Sequence, residues 1–400
     1  MEGVPCIRVS RCHAQEFRRC LQSRGALDES FCLVKDSDGT VLLPILPSCL
    51  SQLDLQTLKN TLDPDVCEIV WSQSSLQSKK ARGRTDGNRL ERILQDLLES
   101  HGESLVEELR RDLPRSFQRH GDLVLLGDNC FTLPLWKKMD GHLWGSVARG
   151  LGAKRLAKMS RISRDGFRSP AVKMLLGQHS WVIHVDNGIS YEFDVTKCMF
   201  SAGNITEKLR VAGLDCRGET VVDLYAGIGY FTLPYLVHAK ASHVHACEWN
   251  PDAVEALQKN LQANGVSDRC AIHQGDNRQL QLCDVADRVN LGLIPSSEDG
   301  WPVACRVLKR KSGGVLHIHQ NVTSPLQTTR ANEPTHNVSG KKVDKEVWQD
   351  WAEATAMRIA SLFRDITGAL WVTNIQHIQH VKSYAPHVHH VVLDLECRPS

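Results

Sequence analysis

The 400-residue chain carries 48 Lys and Arg against 46 Asp and Glu, a formal net charge of +2. That balance excludes a global basic field, so any nucleic-acid contact must come from a local patch. Hydrophobic content of 42% and charged content of 24% are those of a soluble globular protein with two or three domains.

Fourteen cysteines are scattered along the chain without a C-x-x-C pair, so no zinc ribbon is expected. Residues 1–20 lack the apolar run of a secretory signal, and no stretch approaches the ~20 apolar residues of a membrane span. Reduced thiols and a cytoplasmic (or nuclear) setting are the expectation.

In chain order, residues 1–71 alternate short apolar runs with turns, including a hairpin signal at Asp36–Gly39, and read as an N-terminal α+β region. Residues 72–88 are polar and basic and read as a linker. A helix is predicted over 89–111, with Gly102 as a breaker, then a loop, a strand at 122–126 and a helical stretch at 132–151. Residues 154–173 hold seven Lys or Arg and one acid, Asp165, with helix and loop character. Residues 180–195 predict a hairpin about Asn187–Gly188. Residues 89–198 are thus expected to form a second α+β domain.

From about residue 199 strands alternate with helices. Strands are expected at 219–225, 242–247, 269–274, 287–294 and 313–319. Between the second and third, Asn250 can cap a helix, Pro251 suits its first turn, and Asn264–Gly265 end it. A low-hydrophobicity loop at 321–342, a helix at 344–365 and closing strands at 371–381 and 388–396 follow. The fold class is α/β: a doubly wound, Rossmann-like sheet over 199–400 with an antiparallel edge hairpin, preceded by smaller α+β domains.

The turn after the first of these strands reads VVDLYAGIGYFTLP. Gly227 and Gly229 fit a dinucleotide loop, but the third glycine is replaced by Thr232. Asp223 at the strand end would repel a pyrophosphate and suits a ligand with an ammonium and a sulfonium. That ligand is S-adenosylmethionine. Glu248, 21 residues after Gly227, can take the ribose hydroxyls, and Asp276 with Asn277 can read the adenine edge. The plain alternative is that Asp223 and Glu248 are turn and cap carboxylates. An NAD-dependent oxidoreductase is disfavoured by Asp223 and Thr232.

DLYAGIGYFTLP, CEWNPDAVEALQKNLQANG, CMFSAGNITEKLR and GDNR together resemble the tRNA wybutosine-synthesizing protein 2 family. KSYAPHVHHVVLDLEC and LGLIPSSEDGWP extend the resemblance, which is strong over about 110–400. The family is close kin to the tRNA guanine-N1 methyltransferases acting at position 37. The resemblance implies a class I S-adenosylmethionine-dependent fold and transfer of the 3-amino-3-carboxypropyl group, not methyl. The acceptor it implies is C7 of 4-demethylwyosine at position 37 of phenylalanine tRNA, with methylthioadenosine released. The stretch NLGLIPSSE after strand four lacks the Pro-Pro-aromatic turn of many nitrogen methyltransferases.

The resemblance also implies cofactor contacts from Ser201 and Lys208. Read locally, Ser201 is a helix cap and Lys208 lies on a solvated helix face. No catalytic base is assigned. The tRNA-binding candidates are Arg155, Lys158, Arg161 and Arg168, with Arg115 and Arg119 in second rank. His317 and His319 alternate onto one strand face, but no carboxylate or cysteine completes a metal site, and none is expected. Lys382 and Tyr384 lie in a turn that can approach the acceptor base. Competing readings are a tRNA guanine-N1 methyltransferase and a non-catalytic tRNA-binding module. No obligate protein partner is implied.

Overall fold

A computed structural model describes residues 3–10, 13–36, 38–53, 67–73, 78–162, 169–200, 202–325 and 340–400. Ser201, Arg168 and most of the 321–342 loop lie outside the described residues, as does the Arg161 side chain. The chain divides into two units, residues 1–156 with 175–177, and residues 157–174 with 178–400.

The first unit opens with an antiparallel sheet in the order β2-β3-β1-β4. Its strands are β1 (Val4–Ser10), β2 (Val34–Lys35), β3 (Thr40–Pro44) and β4 (Cys67–Ser72). The helix Ala14–Ser23 places Phe17 and Leu21 against Ile7, Val9, Leu43 and Ile45. The polar stretch expected to be a linker enters a helix, Lys79–Ser100. Polar composition concealed it because Lys, Arg and Gln are good helix formers whose charged faces need no burial. Leu90, Leu94 and Leu98 form its buried stripe at i, i+4, i+8 against Leu143, Val147 and Leu151. The helix stops before Gly102, which takes a positive φ of 74°.

A five-residue helix, Glu107–Arg111, is followed by the antiparallel pair β5 (Phe117–His120) and β6 (Leu123–Gly127). The Asp112 carboxylate accepts bonds from the Thr132 amide (2.7 Å), the Thr132 hydroxyl (2.8 Å), the Leu133 amide (3.0 Å) and the Trp136 indole (2.9 Å). It thereby fixes the entry to the helices Pro134–Lys138 and Asp140–Gly150. The basic run then forms strands, β7 (Arg155–Ile162) and β8 (Pro170–Leu176), rather than helix. Leu156 and Ala157 are buried together, so the cationic side chains masked a strand with a partly interior edge.

In the second unit the hairpin β9 (Trp181–Asp186) and β10 (Ile189–Asp194) turns through Asn187 (φ 50°) and Gly188 (φ 74°). Both central residues have positive φ, the conformation an Asn-Gly pair favours. The seven-stranded sheet has the order β13-β12-β11-β14-β15-β17-β16. Its members are β11 (Thr220–Asp223), β12 (His243–Glu248), β13 (Cys270–Gln274), β14 (Arg288–Leu291), β15 (Gly314–Thr323), β16 (Trp371–Ala385) and β17 (Val388–Pro399). The first five are parallel, and β17 and β16 are antiparallel at one edge. Chain order reverses between β11 and β14, and such a switch point opens a crevice at the carboxyl ends of parallel strands.

The predicted helix after β12 is observed as Pro251–Ala263, with the Asn250 side chain accepting from the Asp252 amide at 3.0 Å. This helix also closes the edge of the β9–β10 hairpin. Asn260 accepts from the Glu192 amide (2.5 Å), and Asn264 accepts from the Ser190 amide (3.0 Å) and donates to its carbonyl (2.7 Å). The hairpin assigned from sequence to the preceding domain is therefore hydrogen-bonded to the sheet unit's own helix. The long helix Gly340–Thr367 packs Ile359 and Phe363 into the core beside β14, β15 and β17, with Phe363 stacked 4.0 Å from Trp371.

Asn260 is fully buried and its amide also donates to the Ile228 carbonyl at 2.9 Å. Asn260→Ala leaves the buried Ile228 carbonyl and the part-buried Glu192 amide without this partner and is expected to destabilise the second unit by about 2–4 kcal/mol. Denaturant unfolding checks this, and a change below about 0.5 kcal/mol would contradict the pairing.

Candidate functional site

A cavity of about 460 Å³ opens at the carboxyl ends of β11, β12, β13 and β14. Its floor is the glycine turn. Gly227 and Gly229 take φ of 55° and 100°, in the region that favours glycine. A Cβ on Gly227 would lie 2.5 Å from the Tyr230 ring. One on Gly229 would lie 3.0 Å from Leu233 and Leu257, so Gly229 serves helix packing and does not line the cavity.

Glu248, at the end of β12, is on the wall. One carboxylate oxygen accepts from the Gly227 amide and the other from the Asn250 amide, both at 2.8 Å. Burial pushes its pKa up, and these two donors pull against that. The carboxylate is thus oriented before any ligand arrives, with lone pairs left for a cis-diol. Asp276 and Asn277 follow β13 and line the same cavity. Asp276 caps the short turn Asn277–Gln279 and pairs with Arg278 at 2.6 Å, which holds its carboxyl below the usual range. The Asn277 amide donates to the Leu224 carbonyl at 2.7 Å.

Asp223 is a correction. It is fully buried and is not on the cavity wall. Its carboxylate accepts from Thr232 Oγ1 at 2.7 Å and Asn290 Nδ2 at 2.9 Å, and burial raises its pKa. The acid therefore ties β11, the following helix and β14 together behind the turn. It acts on a ligand by shaping the floor, because its oxygens already point at protein donors. Thr232, read as a missing glycine, supplies one of them.

Lys208 is a second correction. It is buried, pairs with Asp186, and lies 4.8 Å from the Phe200 ring centroid and 5.3 Å from that of Tyr191. It is neither on a solvated face nor on the cavity wall. A ligand carboxylate would have to displace Asp186 to reach its amine.

Of the basic candidates, Arg155 donates from Nε (3.1 Å) and Nη2 (2.5 Å) to Asp122, which neutralises its charge within the fold. Arg119 is turned to the Gly152 and Leu151 carbonyls. Lys158 is half-buried in β7 and Arg115 is exposed. Lys158, in the same unit as the cavity, is not among the residues that line it.

Sequence reasoning missed the apolar wall: Tyr225, Tyr230, Phe231, Leu293 and Ile294, with Trp249 half-exposed beside Glu248. The available signal was position: Tyr225, Trp249, Leu293 and Ile294 follow strand ends within three residues, and Tyr230 and Phe231 follow the glycine turn. Two wall thiols, Cys198 and Cys247, are pushed up to about 12 by burial and by neighbouring carboxylates, so neither is a thiolate nucleophile. The histidines pair inside the sheet. His317 Nδ1 is 2.6 Å from Asp394, which also takes the Arg210 guanidinium, and His319 Nδ1 is 3.1 Å from His390 Nε2.

Strand order, glycine turn and the acid ending the second strand define a class I S-adenosylmethionine-dependent transferase fold. The TRM5/TYW2 methyltransferase domain family matches residues 182–347, and TYW2 N-terminal domain families match 7–81 and 94–180. A tRNA wybutosine-synthesizing protein 2 homolog of Danio rerio is 57% identical, covering 100% of both chains. The Homo sapiens homolog is 51% identical over 96% of this chain and 92% of its own. The solved structure of Pyrococcus horikoshii TYW2 in complex with MeSAdo is similar at TM-score 0.55 and 28% identity, covering 77% of this chain and 98% of that one. The complex structure of aTrm5 and tRNALeu shares the fold at TM-score 0.54 and 22% identity, over 98% and 99%. This chain belongs to the tRNA wybutosine-synthesizing protein 2 family.

Glu248→Gln replaces one acceptor oxygen with an amide that opposes a backbone N–H. S-adenosylmethionine affinity measured by calorimetry is expected to fall about tenfold or more. An unchanged Kd would remove Glu248 from the ligand's ribose. Burial pushes both His319 and His390 down to about 3. Their folded pKa lies below the unfolded value of about 6.5, so the unfolded chain binds more protons between these limits. Stability is expected to fall as pH drops from about 6.5 towards 3, and the double variant H319Q/H390Q to flatten that slope in thermal melts.

Proposed function

We propose that this chain transfers the 3-amino-3-carboxypropyl group of S-adenosylmethionine to C7 of 4-demethylwyosine at position 37 of phenylalanine tRNA. The observation that carries the reading is one cavity lined by Glu248, Asp276 and Asn277, groups that suit adenosine, together with the apolar Leu293 and Ile294. Those two lead into Pro295-Ser296-Ser297 instead of a Pro-Pro-aromatic turn. The turn is held to β15, since the Asn321 amide donates to the Pro295 carbonyl at 2.8 Å and Ser297 Oγ to the His319 carbonyl at 3.3 Å. Family membership and the MeSAdo complex of the Pyrococcus relative support the same reading.

The sulfonium supplies an activated carbon: the C7–Cγ bond forms as Cγ–S breaks, methylthioadenosine leaves, and the C7 proton passes to solvent. The chain's residues orient this displacement. Glu248 holds the ribose, the glycine turn admits the ligand close to backbone, and Tyr230 and Phe231 give the cavity apolar wall. Neutral Cys198 and Cys247 offer no covalent intermediate, so transfer is direct and depends on positioning.

The tRNA partner belongs to this proposal, as does a cytoplasmic setting. No described helix is long and apolar enough to cross a membrane. Lys158, Arg161 and Arg168 are the proposed phosphate contacts, with Arg155 set aside because Asp122 holds it.

Methyl transfer to guanine is the reading the same pocket also admits. S-adenosylmethionine labelled in its carboxyl or in its methyl carbon separates the two, with tRNA bearing 4-demethylwyosine or guanine as acceptor. Carboxyl label in the first tRNA and released methylthioadenosine are expected. Methyl label with adenosylhomocysteine would establish a methyltransferase, and no transfer from either label would leave a binding protein.

A further inference from the structure

The polar groups that suit adenosine account for only part of the cavity's lining. Where the cavity reaches the end of β16, the short turn Ala202–Asn204 lies against that strand. Tyr384, from β16, lines the cavity there and is 51% exposed, whereas Tyr191 and Tyr235 are fully buried in the same unit. The Lys382 ammonium lies 5.1 Å from the Tyr384 ring centroid. The same lysine packs over Gly203, where a Cβ would come within 2.5 Å of Nζ. The Lys382 side chain thus bridges the hairpin and the turn beside Tyr384.

Asn204 also lines the cavity. Its Oδ1 is buried and accepts no hydrogen bond among the described residues. A buried amide oxygen left unpaired is costly, and an N–H on an incoming ligand would satisfy it. A half-exposed aromatic face beside an unsatisfied amide is the combination that holds an unstacked nucleobase. The ring stacks on either face, and the amide reads a polar edge. A tricyclic base offers more stacking area than a purine, so such a platform favours the larger ring system.

We propose that Tyr384 and Asn204 form the subsite for the acceptor base. Tyr384 stacks on the flat tricycle, Lys382 sets a positive charge at the platform, and Asn204 pairs with an N–H on the base edge. The inference rests on the acceptor being an RNA base, as proposed above. The competing occupant of this part of the cavity is the amino-acid arm of S-adenosylmethionine.

The test uses the full chain and two independent readouts. Calorimetry gives S-adenosylmethionine affinity without tRNA. Filter binding and steady-state turnover use tRNA bearing either 4-demethylwyosine or guanine at the acceptor position. Tyr384→Ala is expected to raise KM and Kd for the tricycle-bearing tRNA about tenfold, with S-adenosylmethionine affinity unchanged. Tyr384→Phe, which keeps the ring, should recover most of that loss. Asn204→Leu should narrow the gap between the two tRNAs. Unchanged tRNA affinity in Tyr384→Ala overturns the subsite. So does a Phe variant as weak as the Ala variant, or a matching loss of S-adenosylmethionine affinity, which would assign this part of the cavity to the amino-acid arm. If the wild type binds tRNA but transfers no aminocarboxypropyl group, the proposed reaction fails, while the variants' tRNA affinities still decide the subsite.

Discussion

The catalytic unit is organised around one buried carboxylate. Asp223 sits at the end of β11 with no solvent exposure, and a charge so placed is costly unless each oxygen is paired. Thr232 and Asn290 provide the pairing, and they belong to the helix after the glycine turn and to β14. The need to satisfy one acid thus joins the three elements that meet at the topological switch point. The turn between them is held taut, with Gly227 donating to Glu248 on the neighbouring strand. The cavity follows from that arrangement, because β11 and β14 part where Asp223 pins them below.

This changes the meaning of the acid in the turn. Its charge argued against a pyrophosphate and for a cationic ligand, and the family assignment agrees with the cofactor class so inferred. The physical route differs. Asp223 specifies the floor's shape, and Glu248 and Asp276 are carboxylates that reach the cavity. The wall around them is largely apolar, and its thiols are protonated. Such a site has little acid–base machinery to offer and suits a reaction whose leaving group is already activated.

The basic run of the preceding region shows how composition misleads when charge and packing are entangled. Seven cations over 154–173 suggested an exposed helical or looped patch. Its residues 155–162 and 170–173 lie in strands, and Arg155 pairs with Asp122. In 72–88 the opposite happened, and polar residues read as a linker run into a helix. In both places the local sequence carries too few apolar residues to show the period that signals an element. Across the sheet unit the period was clear, and each parallel strand and the Asn250-capped helix were legible to within a few residues.

By itself the sequence determined the alternation of strands and helices, the glycine turn, the hairpin at Asn187–Gly188 and the acids at the strand ends. Each is a local matter of periodicity, φ preference or capping. Tertiary structure alone decided which groups face the ligand. Asp223 was drawn behind the wall by Thr232 and Asn290, and Lys208 was drawn under Phe200 to Asp186. Tyr384 was carried to the cavity from 157 residues beyond Gly227, by antiparallel pairing of β16 with β17. The direction of a charged side chain depends on partners distant in the chain, and spacing along one dimension does not encode them.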